Sequence, residues 1–258
     1  MELKEFLIPI KGQHSIGEAV FTLFLAQPIL RPERYSSFKE LKDKFHQFNN
    51  TVNIGIELNQ NQKNLTLKGS EKSINGFRFN SFLEGKLDWI LIGNNNTATI
   101  NIHALNYDRW QGFKEKILEY IRLIEQYDKS LFVRGVGLTY IDRFTLTDKQ
   151  LLKCETIFNQ NNKYIPSLIF DNDSMWNTNV NISRNNIIEN INVLIKENNQ
   201  DIDLNVIHNV AFNLDTELTL EDFCSSQIEN LSDRLHVYNK EFLKNIFKEE
   251  VQKIINLL

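Results

Sequence analysis

The residues with the most chemical potential fall in one run, "GVGLTYIDRF", from Gly135 to Phe144. Tyr140 offers a hydroxyl and Asp142 a carboxyl. Arg143 offers a planar fork of donors suited to a carboxylate or phosphate. Asp142 and Arg143 are adjacent, so on a regular strand they point to opposite faces and cannot pair without a bulge. Two residues elsewhere complete the set. Glu18 is the first partner to consider for Arg143 in a buried ion pair, and His236 lies at the edge of an apolar stripe near the C-terminus. The candidate binding residues are therefore Glu18, Tyr140, Asp142, Arg143 and His236, and no catalytic residue is assigned. We expect Glu18, Tyr140, Arg143 and His236 to gather at one polar pocket, where the face cleared by Gly135 and Gly137 meets the C-terminal helix. Tyr140 is the weakest member, because alternation puts it opposite Arg143.

Other signatures of chemistry are missing. The sequence holds no G-x-S-x-G elbow, no G-x-x-x-x-G-K-[ST] loop and no G-x-G-x-x-G turn, which argues against familiar hydrolase, P-loop and dinucleotide readings. His14, His46 and His103 are scattered, and His208 falls on the apolar face of its strand. Cys154 and Cys224 match no metal or redox spacing. No metal and no cofactor is expected.

The elements that must position these groups follow from periodicity. Residues 16–26 read as a strand covered on both faces. Phe38, Leu41, Phe45 and Phe48 share helical spacing, with Ser36 or Ser37 as the N-cap. Val52, Ile54, Ile56 and Leu58 alternate as a strand, and "NGFRFNSF", "KLDWILIG" and "TATINIHA" follow as three more, the last two joined by an Asn turn. A helix is expected over 109–127. The second half repeats the grammar: a long strand from Leu131, short irregular pieces, three antiparallel strands, and a helix over roughly 225–256. On the long strand, Phe132, Arg134, Val136, Leu138, Tyr140, Asp142 and Phe144 should share one face. The glycines clear the other, either for a packed helix or for a groove. Trp110 and Trp176 are expected to anchor helix to sheet.

The fold class expected is α+β, a mostly antiparallel curved sheet with helices on one face. Residues 1–258 form a single body, with a candidate pseudo-repeat of 1–128 and 129–258, each a β-α-β(3-4)-α half. That order of elements resembles the TATA-binding-protein-like fold class. The central run carries a second resemblance. Val136, Gly137, Leu138, Tyr140, Ile141 and Arg143 match a V-G-L-R-Y-I-N-R motif of a sporadically distributed prokaryotic family of about 250 residues without an agreed function. Thr139 and Asp142 stand where that motif has Arg and Asn. An N-terminal element is matched loosely by Ile16, Glu18 and Ala19, and a late one by Leu235 and His236 with Phe242 or Leu243.

Composition limits the partners. The formal net charge is −4, so no overall basic field recruits nucleic acid or an anionic membrane. No apolar run is long enough to span a bilayer, the N-terminus lacks the layout of a signal peptide, and isolated cysteines fit a reducing compartment. The expectation is a cytoplasmic, non-enzymatic interaction protein with a protein partner and no membrane association. The family resemblance implies an accessory or antitoxin-like component of a mobile defence locus. Two alternatives stand beside it. One is a nucleic-acid or nucleotide binder that uses the curved sheet with Arg134, Arg143 and the tryptophans. The other is an enzyme built on Glu18, Asp142, Arg143 and His236.

Overall fold

The computed structural model describes residues 3–53, 56–58, 67–69, 73–148, 153–171 and 175–257. Its main body is one curved, unclosed antiparallel sheet with a few helices, an α+β architecture. The strands of this sheet are β1 (Leu7–Pro9), β2 (Ile16–Leu25), β3 (Gln47–Asn53), β6 (Ser73–Leu83), β7 (Lys86–Asn94), β8 (Thr99–Ala104), β9 (Phe132–Leu146), β10 (Trp176–Arg184), β11 (Ile187–Asn198) and β12 (Asp201–Thr219). β4 (Ile56–Leu58) and β5 (Leu67–Gly69) pair only with each other. The order across the sheet is β10-β11-β12-β9-β2-β8-β7-β6-β3, with β1 pairing β9. Read outward from the central β2–β9 pair, both directions run alike: the last strand of each half lies beside its first. Tight turns enforce this meander, with Glu84 and Gly85, Asn185, and Asn199 all at positive φ between paired strands.

The helices are α1 (Lys39–Lys42), α2 (Trp110–Tyr127), α3 (Cys154–Ile157), α4 (Leu220–Ser226), α5 (Ile228–Ile246) and α6 (Glu249–Ile254). α2, α4 and α5 cover one face of the sheet. Phe113, Ile117, Ile121 and Ile124 of α2 and Leu231 and Leu235 of α5 join Phe21 and Leu23 of β2 and Val136 and Leu138 of β9 in one core. A second cluster joins Phe144 and Leu146 of β9 to Phe242, Leu243 and Ile246 at the far end of α5. At about 25 cal/mol per Å² of apolar surface, these stripes supply the main drive that docks the helices.

Several expectations change in the structure. The helical spacing over 38–48 ends after one turn, and Phe48 belongs to β3 opposite Phe79. Phe38, Leu41 and Phe45 are buried all the same, because the compact loop they occupy folds onto the core. The strand expected over 52–58 is divided between β3 and β4, and Ile54 lies outside the described residues. So do Lys149–Leu152 of the piece before α3. The C-terminal helix is three helices. Gln227 leaves helical geometry between α4 and α5, and Phe247 turns extended after α5, where it is fully buried and stacks on Phe158.

The long strand breaks its alternation at Arg134. Gly135 pairs with Phe24 and Val133 with Leu25, so Arg134 is an extra residue in β9. That bulge brings Val133 to the helix-covered face, fully buried, and sets exposed Phe132 and Arg134 off the line of Val136. A second irregularity occurs at Gly17, which lies between Ile16, paired with Asp142, and Glu18, paired with Ile141.

Candidate functional site

From Val136 to Leu146 the helix-covered face of β9 reads Val136, Leu138, Tyr140, Asp142, Phe144, Leu146, all of them buried. Asp142 is the exception in that stripe, an acid with 0% exposure. Ser15, just before β2, donates its hydroxyl to Asp142 Oδ1 at 2.5 Å. The other oxygen, Oδ2, is buried and has no hydrogen-bond partner among the described residues. Burial pushes the carboxyl up to about 7, and the Ser15 hydrogen bond only partly offsets this.

One strand position earlier on this face, Tyr140 is also buried. Its hydroxyl lies 2.9 Å from His236 Nδ1 on α5 and 3.4 Å from the Tyr107 hydroxyl ahead of α2. Burial raises the Tyr140 phenol well above its ordinary range, so it keeps its proton. It lowers His236 to about 4, helped by Lys240, against the opposing pull of Asp233. The imidazole is therefore neutral, and Tyr140 can donate to Nδ1, which puts the ring hydrogen on Nε2. Trp110, at the start of α2, stacks flat on His236, with centroids 4.5 Å apart and 3° between planes. Its indole nitrogen donates to Asp233 at 3.0 Å, and Lys114 pairs with the same carboxylate at 2.7 Å. The loop before β2, the start of α2 and the middle of α5 are thus tied together over β9.

Ser15, Tyr107, Trp110, Tyr140, Asp142 and His236 line a cavity of about 430 Å³, with His14, Asp108, Arg109 and Lys240 around it. That volume lies within the range of small-molecule sites. His14 Nδ1 is a second buried atom without a partner, and burial, followed by Lys11, lowers that imidazole's pKa. Among the described residues, no group of three or more His, Cys, Asp or Glu is placed to hold a metal ion.

The candidate residues divide between the two faces of the sheet. Tyr140, Asp142 and His236 come together at this cavity. Glu18 and Arg143 do not join them. Glu18 pairs across the sheet with Ile141, on the helix-free face, and its carboxylate meets His103 Nδ1 at 2.8 Å. Arg143 is exposed on that same face and lines a separate cavity of about 460 Å³ with Ile141, Asn205 and Ile207. The shared pocket of Arg143 and His236 is therefore corrected, and so is the Glu18–Arg143 pair. The physical reason is strict: residues 142 and 143 are adjacent on a regular stretch of β9, and the bulge that frees the register lies at Gly17 in β2 instead. The glycines serve packing. A Cβ on Gly135 would meet the Phe212 carbonyl oxygen at 2.6 Å, and one on Gly137 would meet the Phe24 ring at 3.2 Å.

His208 is buried, as expected of a core residue. It stacks on Phe242, bonds to Asn239 through Nδ1 at 2.8 Å, and faces Glu189 at 3.5 Å. Trp176, on β10, binds the α3 segment to the sheet through contact with Cys154 and Phe158, whereas Trp110, expected to anchor helix to sheet, ties α2 to α5 through His236 and Asp233. Ser15, His14, Tyr107 and Lys240 were not singled out from sequence. The "NYDRW" run, with aromatics beside polar residues, was the available signal for Tyr107 and Trp110. Nothing in the sequence marked His14 and Ser15.

No protein-family model matches the chain, and no curated protein matches it. Among the described residues, no helix is long and apolar enough to cross a membrane.

Proposed function

We propose that the protein is a non-enzymatic binding protein whose working site is the cavity lined by Asp142, Tyr140 and His236. One observation carries this reading: a fully buried carboxyl with an unpartnered oxygen lines a cavity of ligand size. An orphaned buried acceptor costs about 1–3 kcal/mol and serves no packing purpose that a leucine would not serve better. A ligand that donates to it recovers that cost on binding.

The test is small-molecule mass spectrometry of the protein purified from its native host, beside the Asp142→Asn variant. A compound enriched on the wild-type chain and lost from a variant of equal melting temperature supports the reading. The same small molecules on both, or none on either, refutes it.

A second reading has its own support. The helix-free face carries Arg78 and Arg143 among rows of Asn and Thr side chains, including Asn101, Asn190, Asn192, Asn205 and Asn209. Such a face suits a nucleic acid, and binding that weakens steeply with salt would promote this reading. A protein partner and an accessory role in a mobile defence or toxin–antitoxin locus rest on the sequence resemblance alone.

A further inference from the structure

We propose that the cavity takes a zwitterion of the amino-acid type, its ammonium group directed to Asp142 and its carboxylate to Lys240 at the rim. This rests on the cavity being a ligand site, and names the class of ligand.

The protein leaves charges unmatched at this cavity. Asp142 is fully buried, yet among the described residues its carboxyl has one hydrogen-bond partner, the Ser15 hydroxyl. A buried ionised carboxylate is normally paired with a cation. At the same cavity, Lys240 and Arg109 have no carboxylate within 4.0 Å among the described residues. The acid is inside and the bases are outside, and the fold keeps them from neutralising each other. A ligand with a positive group at one end and a negative group at the other satisfies both.

The inner end is suited to an ammonium in particular. An ammonium carries three donors and no acceptor. Asp142 Oδ2 and His14 Nδ1 are both buried and both lack a partner. A lowered pKa keeps His14 neutral, so its Nδ1 can accept instead of repelling the cation. His236 is likewise uncharged. Trp110, Tyr107 and Tyr140 provide aromatic walls that tolerate a cation and pack an apolar body. The titratable and charged groups facing the site are His14 from the loop before β2, Tyr140 and Asp142 from β9, Tyr107, Asp108 and Arg109 from the approach to α2, and His236 and Lys240 from α5. Asp108 is exposed and adds negative potential near Arg109, which makes Lys240 the better anchor for the carboxylate.

Binding of an ammonium requires Asp142 ionised. Since that carboxyl titrates near 7, capture at pH 6 ejects one proton, and affinity falls as the pH drops below 7.

Isothermal titration at pH 8 with three probes tests this: phenylalanine, phenethylamine, which lacks the carboxylate, and 3-phenylpropionate, which lacks the amine. Phenylalanine is expected to bind at least roughly tenfold more tightly than either half-ligand, the scale of one lost charged contact. Asp142→Asn should weaken phenylalanine on the order of 100-fold. Lys240→Met, at a position that needs no repacking, should weaken phenylalanine and 3-phenylpropionate and leave phenethylamine unchanged. At pH 6, titrations in two buffers of different ionisation enthalpy should show one proton released. Equal binding of phenylalanine and phenethylamine, an unaffected Asp142→Asn variant, or no binding of any probe at high millimolar concentration overturns the proposal. If a host small molecule nevertheless depends on Asp142, the binding site stands and only the zwitterion is wrong.

Discussion

Replacing Asp142 by Asn keeps the side chain's shape and removes its charge, which makes the price of ionising this buried acid measurable. The ordinary value for the carboxyl is 3.8, and burial pushes it up to about 7. At 1.36 kcal/mol per pH unit, the ionised form is therefore disfavoured in the folded state by about 4 kcal/mol. The sign follows from proton counts. Between pH 3.8 and 7 the folded chain holds a proton that the unfolded chain has lost, so stability falls as pH rises through this window. Below it the contribution of the protonated acid is fully present, and above it the loss is constant. Asn cannot ionise, but its amide nitrogen would take the unpartnered place of Oδ2, at about 1–3 kcal/mol. The variant should thus be slightly less stable than wild type near pH 4, and more stable by about 1–3 kcal/mol above pH 7.5. Urea unfolding followed by circular dichroism from pH 4 to 8.5 measures both chains. Their difference cancels the other carboxylates, among which Asp233 and Glu189 are lowered and push stability the other way. It also cancels His236, whose lowered value makes stability rise between pH 4 and 6.5. A difference that is flat with pH, or that grows in favour of the wild type, would show that Asp142 finds a partner and that the orphan-acid argument is wrong.

Other expectations are more local. Tyr140→Phe removes the donor to His236 and should cost about 1–2 kcal/mol in chemical denaturation, with a change in the His236 ring shifts by NMR. Gly135→Ala should destabilise by about 1–3 kcal/mol, since the new methyl would meet a backbone carbonyl at 2.6 Å, whereas Gly137→Ala, whose tightest contact is the Phe24 ring at 3.2 Å, should lower the melting temperature less. Arg143→Ala should change stability by no more than about 0.5 kcal/mol, because the side chain is exposed and no acid among the described residues pairs with it. Glu18→Gln, which breaks a partly exposed pair with His103, should cost about 0.2–1 kcal/mol and lose part of that effect at high salt.

The sheet was readable in the sequence because its signal is dense. Val206, His208 and Val210 repeat the covered face of β12 without interruption, and α2, Trp110–Tyr127, matches to within a residue the bounds 109–127 expected around the stripe through Phe113, Ile117 and Ile124. What alternation cannot reveal is an inserted residue. Arg134 and Gly17 each shift a strand by one position, and each moved a side chain from the face that counting assigned it. At Gly17 the residue moved is Ile16, which joins the covered face opposite Asp142, whereas Glu18 keeps its regular face opposite Ile141 and meets His103. Helical spacing misled at Phe45 and Phe48 because three-four spacing also suits a short loop that drops rings into the core before a strand starts. Of the site, Tyr140, Asp142 and His236 were legible as unusual residues in apolar settings. Ser15, His14 and Tyr107 were not, since contacts across 127 positions, as between Ser15 and Asp142, leave no local trace.

The central pairing of β2 with β9 has a consequence for how the chain could be divided. Among the described residues, apart from the three-residue contact of β1 with β9, it is the one strand pairing that joins residues before Asp128 to residues after it. All other ladders of the main sheet close within one half or the other. A cleavage in the short connection between α2 and β9 would leave each fragment with its own ladders complete, and would turn an internal seam into an intermolecular one. Asp142, Tyr140 and His236 would travel on one fragment and Ser15, His14 and Trp110 on the other. Reassembly of the two fragments would then rebuild the cavity, and ligand would act as the glue between them.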